Sequence, residues 1–197
     1  MSTSFPTRSA AILLALVGTL LLFRLGAVPL LGPDEPRYTR VAIEMHRAGD
    51  WVTPTLQGEP WLEKTPLFYW LAGIGFSVFG ETETAARLPA VLATLLLVGM
   101  TVLAGTRLHG STVGLHAGFV AGTSLLMFAY GQAASMDMLL AATVTASIGL
   151  AGLRMLGLAG RWAIPAAAAF AGLATLAKGP LGLLLPGLVL GVYVLWT

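Results

Sequence analysis

Apolar residues fill most of this chain in long runs, and the polar ones gather in a single stretch near its start. A helix rises about 1.5 Å per residue, so it needs roughly 20 apolar residues to cross a hydrocarbon core about 30 Å thick. Six windows reach or approach that length: residues 10–30 with Arg24 as an internal exception, 88–108, 113–131, 136–158, 162–177, and 180 to the end. The third and fourth almost touch and predict a tight helical hairpin around residues 130–135. The fifth and sixth meet at Lys178-Gly179-Pro180, where glycine and proline supply the break. Residues 31–87 form the polar stretch, and it is patterned. Val41, Ala42, Met45 and Ala48 recur at helical spacing. Residues 67–79 are apolar and aromatic but too short to span, so they predict an interfacial helix with Phe68, Tyr69 and Trp70 at headgroup level. The predicted fold class is an all-α polytopic membrane protein of about six transmembrane helices. Residues 1–197 form one module, and the 31–87 loop carries juxtamembrane helices along the bilayer surface and caps the bundle.

Composition points the same way. The chain is 56% hydrophobic and 10% charged, against about 25% charged in an ordinary soluble domain, and its mean hydropathy is +0.83. It has no cysteine, which excludes disulfides and thiolate metal sites. The net charge is +2 with no basic run, which argues against nucleic acid as a partner. The apolar stretch after Arg8 is too long for a signal peptide and lacks a small-residue cleavage site, so it reads as a retained span. The chain stops inside an apolar segment at Leu195-Trp196-Thr197, which predicts a fragment or a truncated relative of something longer. Arg8, Arg107, His109, Arg154 and Arg161 fall on one side when spans alternate. That side is assigned to the cytoplasm, together with the N-terminus. The 31–87 loop, the 130–135 turn and Lys178 then face outward, and Lys178 is the basic residue that breaks the bias.

Candidate chemistry lies in that outward set. Eight of the nine acidic residues fall between Asp34 and Arg87. Asp34 and Glu35, followed by Arg37 and Tyr38, put a potential base beside a potential anion binder; the alternative is a juxtamembrane cluster that meets lipid headgroups. Glu63 and Lys64 precede the aromatic Phe68-Tyr69-Trp70 run, where a lysine can clamp a phosphate at headgroup depth or simply snorkel. Asp137 is the acid outside the loop, at the outward start of the fourth window. An ionisable residue there is a functional candidate, or it complements the helix dipole. Asp34, Glu35 and Asp137 share one side of the membrane. His46, His109 and His116 make no ligand-spaced set, and no phosphate-cradling glycine loop or Ser-His-Asp arrangement is evident.

Several segments occur in a familiar order: Asp34-Glu35-Pro36-Arg37-Tyr38, Glu63-Lys64-Thr65-Pro66-Leu67 with Tyr69-Trp70, Arg87-Leu88-Pro89, Asp137, and Lys178-Gly179-Pro180. The set resembles the N-terminal part of the bacterial glycosyltransferases similar to aminoarabinose transferases and protein O-mannosyltransferases, polytopic GT-C enzymes of glycosyltransferase families 39 and 83. Thr65 departs from the usual Glu-Lys-Pro-Pro. The resemblance implies an inner-membrane enzyme that moves a sugar from a polyprenyl-phosphate carrier to an acceptor on the outer face. Lipid A, another glycolipid, a polysaccharide and a protein all stay open as acceptors. It implies Asp34 as catalytic acid/base with Asp137 assisting. Arg37, Lys64 and Lys178 would hold the carrier phosphate, Glu35 and Tyr38 would bind substrate, and Glu63 would bind a divalent metal ion. No organic cofactor is implied. Two other readings stand beside this one. A truncated, non-catalytic carrier-lipid-binding or scaffold protein is the first. A small transporter is the second, weakened because the charges sit in the loop and not at mid-span.

Overall fold

The computed structural model describes residues 5–196. Its described part is mainly helical, with one small β-hairpin of two two-residue strands. In chain order the elements are α1 (Thr7–Leu22), α2 (Asp34–Ala48), β1 (Thr55–Leu56), β2 (Glu59–Pro60), α3 (Leu67–Phe79), α4 (Glu83–His109), α5 (Ser111–Thr123), α6 (Leu125–Gly131), α7 (Asp137–Met155), α8 (Ala163–Lys178) and α9 (Leu181–Trp196). The six apolar windows become α1, α4, the α5–α6 pair, α7, α8 and α9. Helices α4 and α7 are long and apolar enough to cross a membrane, and α5 with α6 adds a third span if the 61° bend between them is read as one broken crossing. Helices α1, α8 and α9 are apolar but only 16 residues each.

Two expectations change at the first span and at α3. Helix α1 ends at Leu22, not near residue 30: Phe23 is extended and Arg24 takes a left-handed backbone with φ of 55°. The charged residue breaks the apolar run, and the following segment crosses the end of the bundle as irregular chain. In α3, Phe68 and Tyr69 pack inside the protein and do not face lipid. They are fully buried, and Phe68 meets Tyr38 edge-on with ring centroids 6.3 Å apart. The Trp70 indole N–H donates to the Trp51 carbonyl at 2.7 Å. Helix α2 lies over α3 and gives these rings an apolar partner inside the protein, so Ile74, Val78 and Phe79 make the exposed face instead.

Helix ends follow ordinary capping chemistry. Thr82 caps α4 by accepting the Ala85 N–H at 3.2 Å, Glu83 occupies its first turn, and Arg107 and His109 its last. Helix α2 ends on Gly49 in the left-handed region, φ 67°. Close packing between spans depends on small residues, because lipid offers no hydrophobic drive for helix association. A Cβ on Gly114 of α5 would fall 2.2 Å from Thr106 Oγ1, and one on Gly118 2.3 Å from Val102 Cγ2, both on α4. One core joins α1 to α4 through Leu13, Val17, Leu21, Val98 and Val102. A second joins α2, α3, α4 and the start of α7, and reaches Ala177 of α8. The second core is the platform for the site.

The β1–β2 hairpin is tied to α2 by one carboxylate. Glu44 accepts from Arg40 Nε at 2.7 Å, Thr55 Oγ1 at 3.1 Å, Gln57 N at 3.0 Å and Gly58 N at 3.2 Å. Burial pushes its pKa up, but the hydrogen bonds from Arg40, Gly58, Gln57 and Thr55 outweigh that and hold it at about 2. A depressed carboxylate contributes stability that is present above its ordinary pKa and lost as pH falls through the folded value. The Gln57 and Gly58 amide resonances are therefore expected to titrate with a midpoint near pH 2. A midpoint near the ordinary 4.5 would show that the network does not hold the hairpin.

Candidate active site

The first turn of α2 puts two adjacent acids in opposite settings. One residue is about 100° of helical rotation, so Asp34 and Glu35 cannot share a face. Glu35 turns inward and is buried to 7% exposure, against Arg87 at 4%. Arg87 donates to both Glu35 oxygens, from Nε at 3.1 Å and Nη2 at 2.9 Å. The same carboxylate accepts the backbone N–H of Leu31 at 2.6 Å and of Ala134 at 2.5 Å. Four accepted hydrogen bonds fill the capacity of a carboxylate. Burial raises the Glu35 pKa, but the Arg87, Leu31 and Ala134 bonds prevail and hold it below its usual value. Arg87 uses its remaining N–H groups on the carbonyls of Leu25 at 2.7 Å, Val28 at 2.8 Å and Pro29 at 3.1 Å. The pair thereby fastens the post-α1 segment, α2, α4 and the turn before α7 at one point. Glu35 has no oxygen lone pair left for substrate.

Asp34 instead stays open. Its side chain is 60% exposed, and Arg37 stands one turn on at 3.8 Å. The Arg37 guanidinium also lies over the Trp61 ring at 5.7 Å. Tyr38 is buried beside them. Burial and the neighbouring Asp34 and Glu63 charges push its phenol pKa up against the opposing pull of Lys64 and Arg37, so it stays a neutral hydrogen-bond donor. Lys64 pairs with Glu63 at 2.9 Å. That hydrogen bond raises the lysine pKa, with the Tyr38, Glu63 and Asp34 charges adding to it, and lowers that of Glu63. Beneath the Glu63–Lys64 segment, Trp61 Nε1, Thr65 Oγ1 and Tyr69 OH are buried without a formed hydrogen bond.

Asp137 and Lys178 meet each other. Asp137 is in the first turn of α7 and Lys178 in the last turn of α8, and the ammonium donates to the carboxylate. Each charge suits its helix dipole, and the antiparallel packing of α7 and α8 brings the two ends together. Gly179 follows Lys178 in the left-handed region, and a Cβ there would reach Thr65 Cγ2 at 4.0 Å, so the end of α8 abuts the Lys64 segment. Glu35 to Ala134 joins the start of α2 to the turn before Asp137. Asp34, Arg37, Tyr38, Glu63 and Lys64 thus stand at the same end of the bundle as the Asp137–Lys178 pair.

The expected divalent metal ion rests on Glu63 among the residues present. Among the described residues no three His, Cys, Asp or Glu side chains come together as a ligand set, and Glu63 offers one carboxylate already shared with Lys64. Sequence reading treated Arg87 only as part of a motif and missed its clamp. A signal was available: an arginine at the mouth of an apolar span is costly unless paired, and the loop is rich in acids.

Comparison with known proteins bears on this arrangement. Residues 63–197 match the family model of dolichyl-phosphate-mannose-protein mannosyltransferase. An undecaprenyl phosphate-alpha-4-amino-4-deoxy-L-arabinose arabinosyl transferase of Pseudomonas fluorescens (strain Pf0-1) is 30% identical over 98% of this chain and 36% of its own length. The transferase of that name from Pseudomonas savastanoi pv. phaseolicola (strain 1448A / Race 6) is 37% identical over 52% of this chain and 19% of its own. The fold superposes on the crystal structure of ArnT from Cupriavidus metallidurans bound to undecaprenyl phosphate with a TM-score of 0.89 at 30% identity, covering 96% of this chain and 36% of that one. The apo state of that protein gives 0.88 at 31% identity, with 98% and 36% covered. The matched region thus spans about a fifth to a third of the length of these relatives.

Proposed function

Because the chain belongs to the dolichyl-phosphate-mannose-protein mannosyltransferase family, we propose that it forms one wall of the active site of a membrane glycosyltransferase that takes a sugar from a polyprenyl-phosphate carrier. Undecaprenyl phosphate is the carrier and 4-amino-4-deoxy-L-arabinose the sugar that the relatives' names point to. The acceptor is a lipid, glycan or protein hydroxyl at the outer face of a bacterial inner membrane, with the chain's N-terminus in the cytoplasm.

One observation carries the proposal. The open carboxylate Asp34, the cations Arg37 and Lys64 and the phenol of Tyr38 converge on one core with the Asp137–Lys178 pair. A cationic rim is what a carrier phosphate needs, and a free carboxylate next to it is what an acceptor hydroxyl needs. In the reaction the acceptor oxygen forms a bond to the anomeric carbon as the bond from that carbon to the phosphate oxygen breaks. The electron pair leaves with the carrier phosphate, whose charge Lys64 and Arg37 stabilise. The proton of the acceptor hydroxyl passes to Asp34. Tyr38 donates to the phosphate, and Lys178 adds positive charge while Asp137 orients it. Glu35 keeps α2 in place through Arg87. Both substrates are confined to the membrane, so holding them at one bundle end supplies much of the rate.

The test is carrier binding and sugar transfer in lipid vesicles. Lys64→Ala is expected to weaken undecaprenyl phosphate binding about tenfold or more, the scale of a lost charge-assisted contact. Unchanged affinity would remove Lys64 from the phosphate site. A second reading is a carrier-lipid-binding protein without transfer. Carrier bound tightly with no sugar moved, even with a complete donor and acceptor, would select it.

A further inference from the structure

Against the Glu35–Arg87 clamp lies a cavity of about 300 Å³ whose lining does not include Asp34. Its lining is the post-α1 segment (Arg24, Leu25, Val28, Leu31), the clamp itself, and Ala129, Gln132 and Ala133 at the end of α6. We propose that this cavity holds the headgroup of an anionic glycerophospholipid of the surrounding bilayer, with Arg24 on the phosphodiester and the Gln132 amide oxygen on a headgroup hydroxyl.

Four features of the cavity lead there. First, Arg24 carries a full positive charge at its mouth, and no hydrogen bond or ion pair engages its guanidinium within the described structure. Second, the other charges in the wall are spent. Every donor of Arg87 used in the clamp has a protein acceptor, and Glu35 is saturated by four N–H groups. The cavity therefore presents one net positive charge, the match for a single phosphodiester and a poor match for a dianionic group. Third, Gln132 is half committed. Its amide nitrogen donates to the Leu21 carbonyl at 2.8 Å and the Phe23 carbonyl at 3.3 Å, which fixes the side chain and leaves its oxygen as an acceptor for a hydroxyl. Fourth, the rim is apolar and open: Val28 is 49% and Leu31 62% exposed, next to Phe23 at 68%. These side chains suit acyl chains leaving the headgroup, not a water-borne anion. The backbone adds to this. Arg24 holds φ of 55°, where L side chains rarely go, and its carbonyl is tied to Ala27 N at 2.9 Å. Backbone outliers of this kind collect at functional positions, and here the unusual turn sets the arginine at the cavity mouth.

The site differs from the carrier site in position and in chemistry, so it does not depend on the glycosyltransferase reading. The experiment is native mass spectrometry of the full chain released from detergent micelles and titrated with phosphatidylglycerol. One saturable lipid is expected. Arg24→Gln is expected to weaken it about fivefold, the effect of one basic residue on an anionic lipid, while Arg24→Lys keeps most of the affinity and reports that the turn still folds. Phosphatidylcholine, which has no net negative charge and no headgroup hydroxyl, should bind several-fold more weakly. The proposal is overturned if Arg24→Gln binds phosphatidylglycerol as the unaltered chain does, or if phosphatidylcholine binds equally. It is also overturned if equimolar undecaprenyl phosphate displaces the lipid, which would make the cavity part of the carrier site, or if millimolar inorganic phosphate does so, which would make the ligand a free anion.

Discussion

If the proposed transfer reaction holds, Asp34→Asn is expected to lower sugar transfer by about 10²- to 10⁴-fold, the range of a lost general acid/base, with insertion and expression near normal. The separation of activity from stability follows from the setting of the residue. The Asp34 side chain is 60% exposed, and its ion contact is Arg37 at 3.8 Å, one turn along the helix. Exposed pairs of that kind contribute about 0–1 kcal/mol, so little folding energy is at risk. Asparagine keeps the shape and the start of α2 but cannot take a proton. The measurement is transfer of labelled sugar from the polyprenyl-linked donor, with carrier affinity followed in parallel. Carrier affinity should hold while transfer is lost. Retained transfer would sink the assignment of Asp34.

Arg87→Leu is expected to have the largest effect on stability, a loss of about 3–5 kcal/mol, as when one partner of a buried ion pair is removed. The substitution leaves the Glu35 carboxylate charged and buried, and it strips the Leu25, Val28 and Pro29 carbonyls of their donors. Arg87→Lys should recover only part of this, because an ammonium cannot serve two carboxylate oxygens and three carbonyls in the geometry of a planar fork. Pairing Arg87→Leu with Glu35→Leu should be less damaging than the sum of the two singles, since no unpaired charge remains buried. Thermal unfolding in detergent reads these differences. A melting curve for Arg87→Leu that matches the unaltered chain would mean the clamp contributes nothing. The contrast between neighbours is the sharper test: Asp34 should affect rate and not stability, and Glu35 stability first.

Much of the fold could be read from the sequence because its signal is local. The apolar windows, the glycine–proline break after Lys178 and the bounds of α3 all come from runs and spacings along the chain. The segments of the candidate site were legible too, because charge is costly in lipid and eight of nine acids collect in one loop. The early end of α1 was the weak point. Arg24 was visible, but its left-handed backbone leads into a segment whose Leu25, Val28 and Pro29 carbonyls are held by the distant Arg87.

The sequence by itself determined a helical membrane bundle, the six apolar windows and the segments that bear the candidate site. It could not decide which of two adjacent acids turns inward. That was settled by Arg87, 52 positions after Glu35, and by the Ala134 amide, 99 after it. Likewise Asp137 and Lys178 are separate oddities in sequence and one pair in space. Phe68 and Tyr69 read as headgroup aromatics until α2 covers them. The physical reason is the same in each case. Helix formation and membrane insertion depend on neighbours in the chain, whereas the pairing of buried charges and the burial of rings depend on residues that only packing brings together.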